Sequence, residues 1–321
     1  MTDLLDQVRE GCKAVAEQAV FVHIDFEQIT RYSVSLPLER VAQPQHDACC
    51  HYLNHGDDTA AFFITLDSIN FGSGYFPYLR KRPGMSGYFT VAGCLNDYFI
   101  AQGVPSALCL THLTDKDCQR IFNQDSANEP VMELMQLFAT ALNDLGTYLL
   151  QHFQGSFRVL LEAAAGSAAR LAQLLTSMKY FNDVELYDGV PIPFLKRAQL
   201  TAADLAIAFG NTGLGKFDDL PRLTMFADNL VPHVLRLDGV LHYDESLARR
   251  IDAEQLIESG SPEEVEIRAC ALHAVELIST NLRNAGHPIA PMQLDYLLWN
   301  RGQDRVYKQA KPRHRTRTVF Y

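Results

Sequence analysis

Apolar residues recur three and four positions apart through most of this 321-residue chain, the spacing that gathers them on one face of an α-helix. Asp3 to Val20 fits an amphipathic helix of this kind. Pro130 to Phe153 fits a longer one, with proline in its first turn and Gly155 just beyond its end. Leu160 to Tyr180, rich in Ala and Leu around Gly166, predicts two short helices or one bent one. Phe89 to Ile100 predicts a helix after the basic loop Arg80 to Tyr88, and Thr201 to Phe209 a short one with Thr201 as N-cap. Ser261, Pro262 and Glu264 spell a capping box, opening a helix that runs to Asn284 before Gly286 stops it. Leu294 to Trp299 predicts a last short helix.

Strand patterns are few. Val20 to Ile24 and Ala60 to Ile64 predict short strands, and Val184 to Val190, with Asp188-Gly189 inside it, predicts a hairpin. Strand and helix do not alternate, which argues against a doubly wound sheet, and no repeat recurs at a fixed period. The expected fold is mainly α: one compact helical domain over residues 1–321, with a few short strands and two lobes around a cleft.

Composition narrows the partners. At 47% hydrophobic residues the chain has ample material for a core, and its net charge of −10 disfavours a nucleic-acid polymer as the main partner. Positive charge gathers late. Lys308, Lys311, Arg313, Arg315 and Arg317 stand in a stretch free of acids, and the apolar Val319, Phe320 and Tyr321 imply that this stretch docks. Seven cysteines without regular spacing fit reduced thiols in a cytoplasmic setting. The first residues lack a signal-peptide core, and no apolar run nears the ~20 residues that span a bilayer, so no membrane partner is expected. The eleven histidines are scattered without metal-ligand spacing, so no metal and no cofactor are expected. A monomer is expected.

Chemistry concentrates where charge meets apolar sequence. Asp228 lies inside LPRLTMFADNLVPHVL, and a carboxylate in such surroundings costs several kcal/mol unless it is paired or used. It reads either as a helix cap or as a working acid. Asp67 to Phe76, DSINFGSGYF, joins an acid, an amide, small turn residues and aromatics, a set that suits a core turn or a nucleobase site equally. FLKRAQ places Lys196 and Arg197 just before a predicted helix, where cations are unfavourable unless an anion joins them. Glu266 and Arg268 in VEIRACALHAVELI are apolar-flanked charges that predict a buried ion pair, and Asp295 in LDYLLW repeats the theme. Gly210 to Phe217, GNTGLGKF, begins like a phosphate loop but has Phe217 where Ser or Thr would hold Mg²⁺, so it reads as a flexible turn.

These segments, LDSINFGSGYF, SGYF, FLKRAQLTAADL, LTMFADNLVPHVL, EVEIRACALHAVELI, LDYLLW and RHRTRTVFY, occur in an order that resembles the queuosine salvage family of queuosine 5′-phosphate N-glycosylases. The resemblance spans nearly the whole chain, and EVEIR with TMFAD is its most specific part. It implies a helical fold similar to that of DNA glycosylases, although a helix-hairpin-helix turn is not seen here. It also implies hydrolysis of queuosine 5′-monophosphate to queuine and ribose 5-phosphate, with the Asp of TMFAD, here Asp228, as the catalytic residue. The family commonly continues with Tyr-Arg and V/L-P-Q, whereas this chain has Asn229, Leu230, Val231, Pro232 and His233.

That substrate gives the other residues expected roles. Cleaving an N-glycosidic bond builds positive charge on the ribose, which Asp228 would stabilise directly or by activating water. The cationic arm of queuosine would seek Asp67, Glu266 and Asp295. Phe71 and Tyr88 would stack on the base and Asn70 would bond its edge. The 5′-phosphate would meet Lys196, Arg197 or the basic terminal stretch, with Arg268 among the substrate-binding candidates. The alternative is a binding protein for a modified nucleotide that performs no chemistry.

Overall fold

A computed structural model describes residues 3–40 and 44–321. The first half of the chain is helical apart from one short strand: α1 (Leu4–Gln18), β1 (Val22–Ile24), α2 (Phe26–Ser35), α3 (Asp57–Ser68), α4 (Gly87–Gln102), α5 (Ala107–Leu110), α6 (Asp115–Ile121), α7 (Glu129–His152), α8 (Phe157–Ala163) and α9 (Ala168–Leu175). A hairpin, β2 (Val184–Tyr187) and β3 (Val190–Pro193), leads into α10 (Lys196–Ala208) and α11 (Val231–Leu237). After β4 (Leu241–Tyr243) come α12 (Glu245–Asp252), α13 (Pro262–Asn284), α14 (Pro291–Gly302) and α15 (Arg305–Ala310). The mainly α expectation holds.

The amphipathic pattern explains α1. Asp3 accepts a hydrogen bond from the Leu5 amide at its start, and Leu5, Val8, Cys12 and Val15 form the buried stripe. That stripe packs on α13, the central helix, which is buried continuously from Glu264 to Leu272 and also meets α2 and α14. Ser261 accepts from the Glu264 amide as the capping pattern requires, while Glu264 reaches back to the Gly260 amide rather than to that of Ser261. β1 pairs with β4, and the β2–β3 hairpin turns through Asp188 and Gly189, both at positive φ (49° and 79°), the backbone that favours an Asp-Gly pair.

Two expectations are corrected. Ala60 to Ile64 is helix, not strand. Every residue from Thr59 to Ser68 is buried, so the run is apolar on all sides and its periodicity is uninformative, while Asp57 and Asp58 in the first turn supply the helical signal. Thr201 is not an N-cap either. α10 begins five residues earlier, and Thr201 donates its hydroxyl hydrogen to the Arg197 carbonyl inside the helix. Leu195, at φ 53°, redirects the chain at the start of α10 where a polar cap would ordinarily stand.

The terminal segment 311–321 docks as its apolar residues predicted. The Gly72 amide donates to the Tyr321 carbonyl (3.0 Å), the Ile257 amide to that of Arg315 (2.9 Å), and Asn229 to that of His314 (3.1 Å). Gly74 is required here, because a Cβ at that position would collide with the backbone of Thr316. Gly74 of DSINFGSGYF thus admits this segment.

Candidate active site

A cavity of about 820 Å³ opens between α10, α14, the 70–89 segment, the 226–233 segment and the basic terminal stretch. α10 presents Lys196, Leu200, Asp204 and Ile207 to it, a stripe at helical spacing. α14 presents Asp295, Tyr296 and Trp299.

Asp228 lines this cavity and is half-buried. Its Oδ1 accepts the amides of Leu230 (2.8 Å) and Val231 (3.2 Å), where Pro232 lies in the first turn of α11. No described residue donates to Oδ2. The capping and working readings are therefore compatible, one oxygen for each. Asp295, 4% exposed, accepts the Phe226 amide (3.0 Å), and burial together with the charge of Asp228 raises its carboxyl well above the usual carboxylate range. Lys196 sits among these acids. Burial pulls its ammonium down and Asp228 pulls it back up, with Asp67 and Asp295 assisting more weakly.

The acid-rich end lies deeper. Asp67 is fully buried; its Oδ1 accepts from Asn70 (3.3 Å), while its Oδ2 has no partner among the described residues. Burial, and then the neighbouring Asp204, raise it well above the ordinary range. Asp204 is pushed up to about 7 by burial and receives the Tyr296 hydroxyl (3.0 Å). The cation-rich end lies at the rim, where Lys81, Lys308, Lys311 and Arg313 are exposed. Lys311 pairs with Asp252, and the Arg313 guanidinium feels the charge of Asp228, whereas Lys81 and Lys308 form no ion pair among the described residues. Burial lowers Lys81, and the charge of Arg313 lowers it further.

The sequence candidates divide. Asp228, Asn70, Phe71, Tyr88, Lys196 and Asp295 line the cavity, with Asp67 directly behind Asn70. One face of Phe71 is covered by the Arg197 guanidinium (5.0 Å) and its edge meets Phe138, while Tyr88 meets Trp299 edge to face.

Besides Asp67, three candidates lie outside the cavity. Arg197 is not placed before a helix with an anion; it sits in the first turn of α10 and donates to the carbonyls of Asp67, Ser68, Tyr180 and Val319. Glu266 gathers the amides of Val20, Phe21 and Val22 on one oxygen and the Tyr187 hydroxyl on the other, so it is spent on β1 and the hairpin. Arg268 is fully buried and pairs not with Glu266 but with Asp183 (2.6 Å) and Glu264 (3.6 Å), while its Nε donates to the Ala227 carbonyl (3.1 Å). Lys216 faces Asp218 on the surface, and GNTGLGKF is a turn.

Sequence reasoning missed Asp204, Tyr296 and the histidines His46, His51 and His233 as site residues, all on the cavity wall, while Arg313 there comes from the basic terminal stretch expected to meet the phosphate. Asp204 carries a usable signal, an acid on the apolar helix TAADLAIAF. Among the described residues no three His, Cys, Asp or Glu side chains are grouped to hold a metal ion, and no helix is long and apolar enough to cross a membrane.

The family described as queuosine salvage protein matches residues 50–321. This chain belongs to the queuosine salvage protein family. Its relatives include a Sphaerobacter thermophilus protein, 36% identical over 96% of each chain, and a Mus musculus protein, 31% identical over 98% of each. A Dictyostelium discoideum protein is 34% identical over 82% of this chain and 78% of its own. All three are named queuosine 5′-phosphate N-glycosylase/hydrolase. The family match takes in every segment that lines the cavity except residues 44–47.

Proposed function

We propose that this member of the queuosine salvage family hydrolyses the N-glycosidic bond of queuosine 5′-monophosphate in the cavity above, with Asp228 at the reacting carbon. The observation that carries the assignment is the divided carboxylate. One oxygen is fixed by two backbone amides, so the carboxylate is held still at the cavity wall, with no described residue donating to its other oxygen. Preorganised negative charge of this kind gains strength as the ribose becomes cationic, which lowers the barrier without tightening the ground state. A water on the opposite side of Asp228 from its amides would be oriented by the same free oxygen. The leaving 7-deazaguanine has no nitrogen at ring position 7 to protonate, so stabilisation on the sugar side carries most of the work.

Orientation follows from charge. The protonated arm of queuosine is matched by Asp204 at the deep end, with Asp67 behind the wall, and the phosphate by Arg313, Lys81 and Lys308 at the rim. The test is direct: incubate the protein with queuosine 5′-monophosphate and follow queuine by mass. Substrate that is bound tightly yet survives unchanged would favour the non-catalytic alternative.

Two further outcomes are expected. Arg313→Ala should lower kcat/KM for the nucleotide by roughly 10- to 100-fold, the worth of a charge-assisted hydrogen bond, and leave the nucleoside unaffected. Equal losses on both would place the phosphate elsewhere. The second concerns pH. Asp204 must be ionised to receive a cation, and its folded value near 7 lies above the ordinary range, so the partnership is complete above pH 7 and fades below it. KM should therefore rise as pH falls from 8 to 6, approaching about tenfold per unit. Because the substrate phosphate titrates near pH 6, the measurement compares wild type with Asp204→Asn, whose profile should be flatter by the Asp204 contribution.

A further inference from the structure

The wall beside the deep acids is built so that its hydroxyls spend their hydrogens on other wall residues. His51 is 4% exposed and its Nδ1 lies 2.9 Å from the carbonyl of Asp47. A carbonyl only accepts, so Nδ1 bears the hydrogen. Burial holds the ring value down at about 4, so the ring is neutral near pH 7 and its Nε2 is a bare lone pair. The Tyr88 hydroxyl lies 3.0 Å from that lone pair and must donate to it. Tyr88 is left with only oxygen lone pairs to offer inward. With Asp204 ionised, Tyr296 is fixed in the same sense, because its hydroxyl hydrogen goes to Asp204 Oδ1 (3.0 Å). His46 adds a third case: its Nε2 lies 2.9 Å from the Asp204 carbonyl, so Nδ1 is the unprotonated nitrogen. Its own value is pulled down to about 4 by burial.

We infer that His51 is a positioning residue that makes Tyr88 an obligate hydrogen-bond acceptor, and that Tyr88, Tyr296 and His46 form a base-reading wall selecting nucleobases with several N–H groups on one edge. The inference rests on the reading that this cavity takes a nucleobase. A guanine-type edge presents N1–H and an exocyclic amine, whereas an adenine-type edge presents an unprotonated N1 that would oppose another lone pair. Unpaired buried acceptors are what make such discrimination strong.

The test measures binding of two free bases, 7-deazaguanine and 7-deazaadenine, by calorimetry. Wild type should prefer 7-deazaguanine by at least about tenfold, the worth of one buried hydrogen bond. His51→Phe should reduce that ratio by a similar factor, since Tyr88 is then free to turn its hydrogen inward. His51→Gln should retain the ratio, because an amide both donates to the Asp47 carbonyl and accepts from Tyr88. Should His51→Phe fail to fold, Tyr88→Phe tests the same wall and should also reduce the ratio. An unchanged ratio in His51→Phe or Tyr88→Phe, equal losses for both bases, or no preference in wild type, including no binding of either, overturns the inference. Turnover of queuosine 5′-monophosphate by wild type is measured separately. Preference without turnover would sink the hydrolase reading and leave the wall standing, and turnover without preference would do the reverse.

Discussion

Asp228→Asn should reduce turnover of queuosine 5′-monophosphate by ~10² or more, as loss of one preorganised electrostatic group does elsewhere, while the protein stays folded and still binds substrate. Asn is the informative replacement. Its side-chain oxygen keeps accepting the Leu230 and Val231 amides, so the start of α11 is preserved and only the negative charge is removed. Asp228→Ala removes both and should add a penalty of about 1 kcal/mol in stability, the usual worth of a cap. The comparison separates two roles on one side chain. Burst-free steady-state kinetics with thermal unfolding on both variants measures it. An Asn variant with near-normal kcat would return Asp228 to capping alone.

The largest loss of stability is expected at Arg268. Its guanidinium is wholly buried and answers two acids, Asp183 and Glu264, as well as the Ala227 carbonyl, and it lies over the rings of Phe194 (3.9 Å) and Tyr321 (4.8 Å). Arg268→Met keeps much of the volume but leaves buried carboxylates unpaired, a change that costs about 3–5 kcal/mol. For a chain of this length that corresponds to a fall in Tm of roughly 6 °C. The Asp183 carboxylate that Arg268 holds also receives the Lys196 amide (3.1 Å), and Ala227 is the residue before Asp228. Stability and geometry of the site are thus tied to one guanidinium. A melting temperature within a degree of wild type would mean that the pocket around Arg268 relaxes to neutralise its acids.

What could be read from the chain, and what could not, follows from where charge lies. Asp228 and Asp295 in apolar sequence, and Lys196 beside a helix start, were legible because a charge in unfavourable surroundings needs a reason, and all three line the cavity. The same rule pointed to Arg197, Glu266 and Arg268, which instead satisfy backbone carbonyls, backbone amides and other acids. Sequence gives the cost of burying a charge but not the identity of its partner, since those partners lie up to 246 residues away. α3 was unreadable for a related reason: complete burial erases the alternation that separates helix from strand. The start of α10 was hidden because a left-handed leucine, not a polar residue, precedes it. The hairpin was legible because Asp-Gly reports its own backbone.

The cavity is graded in depth, with fully enclosed acids at one end and exposed cations at the other. Once the bond is broken, the two halves of the substrate do not have equal ways out. In the orientation proposed above, the sugar phosphate would stand nearer the mouth and depart first, and the freed base, still gripped by its arm, would be the last to go. Accumulating queuine would then occupy the empty enzyme and compete with incoming nucleotide, so the salvage step slows when its own product is plentiful.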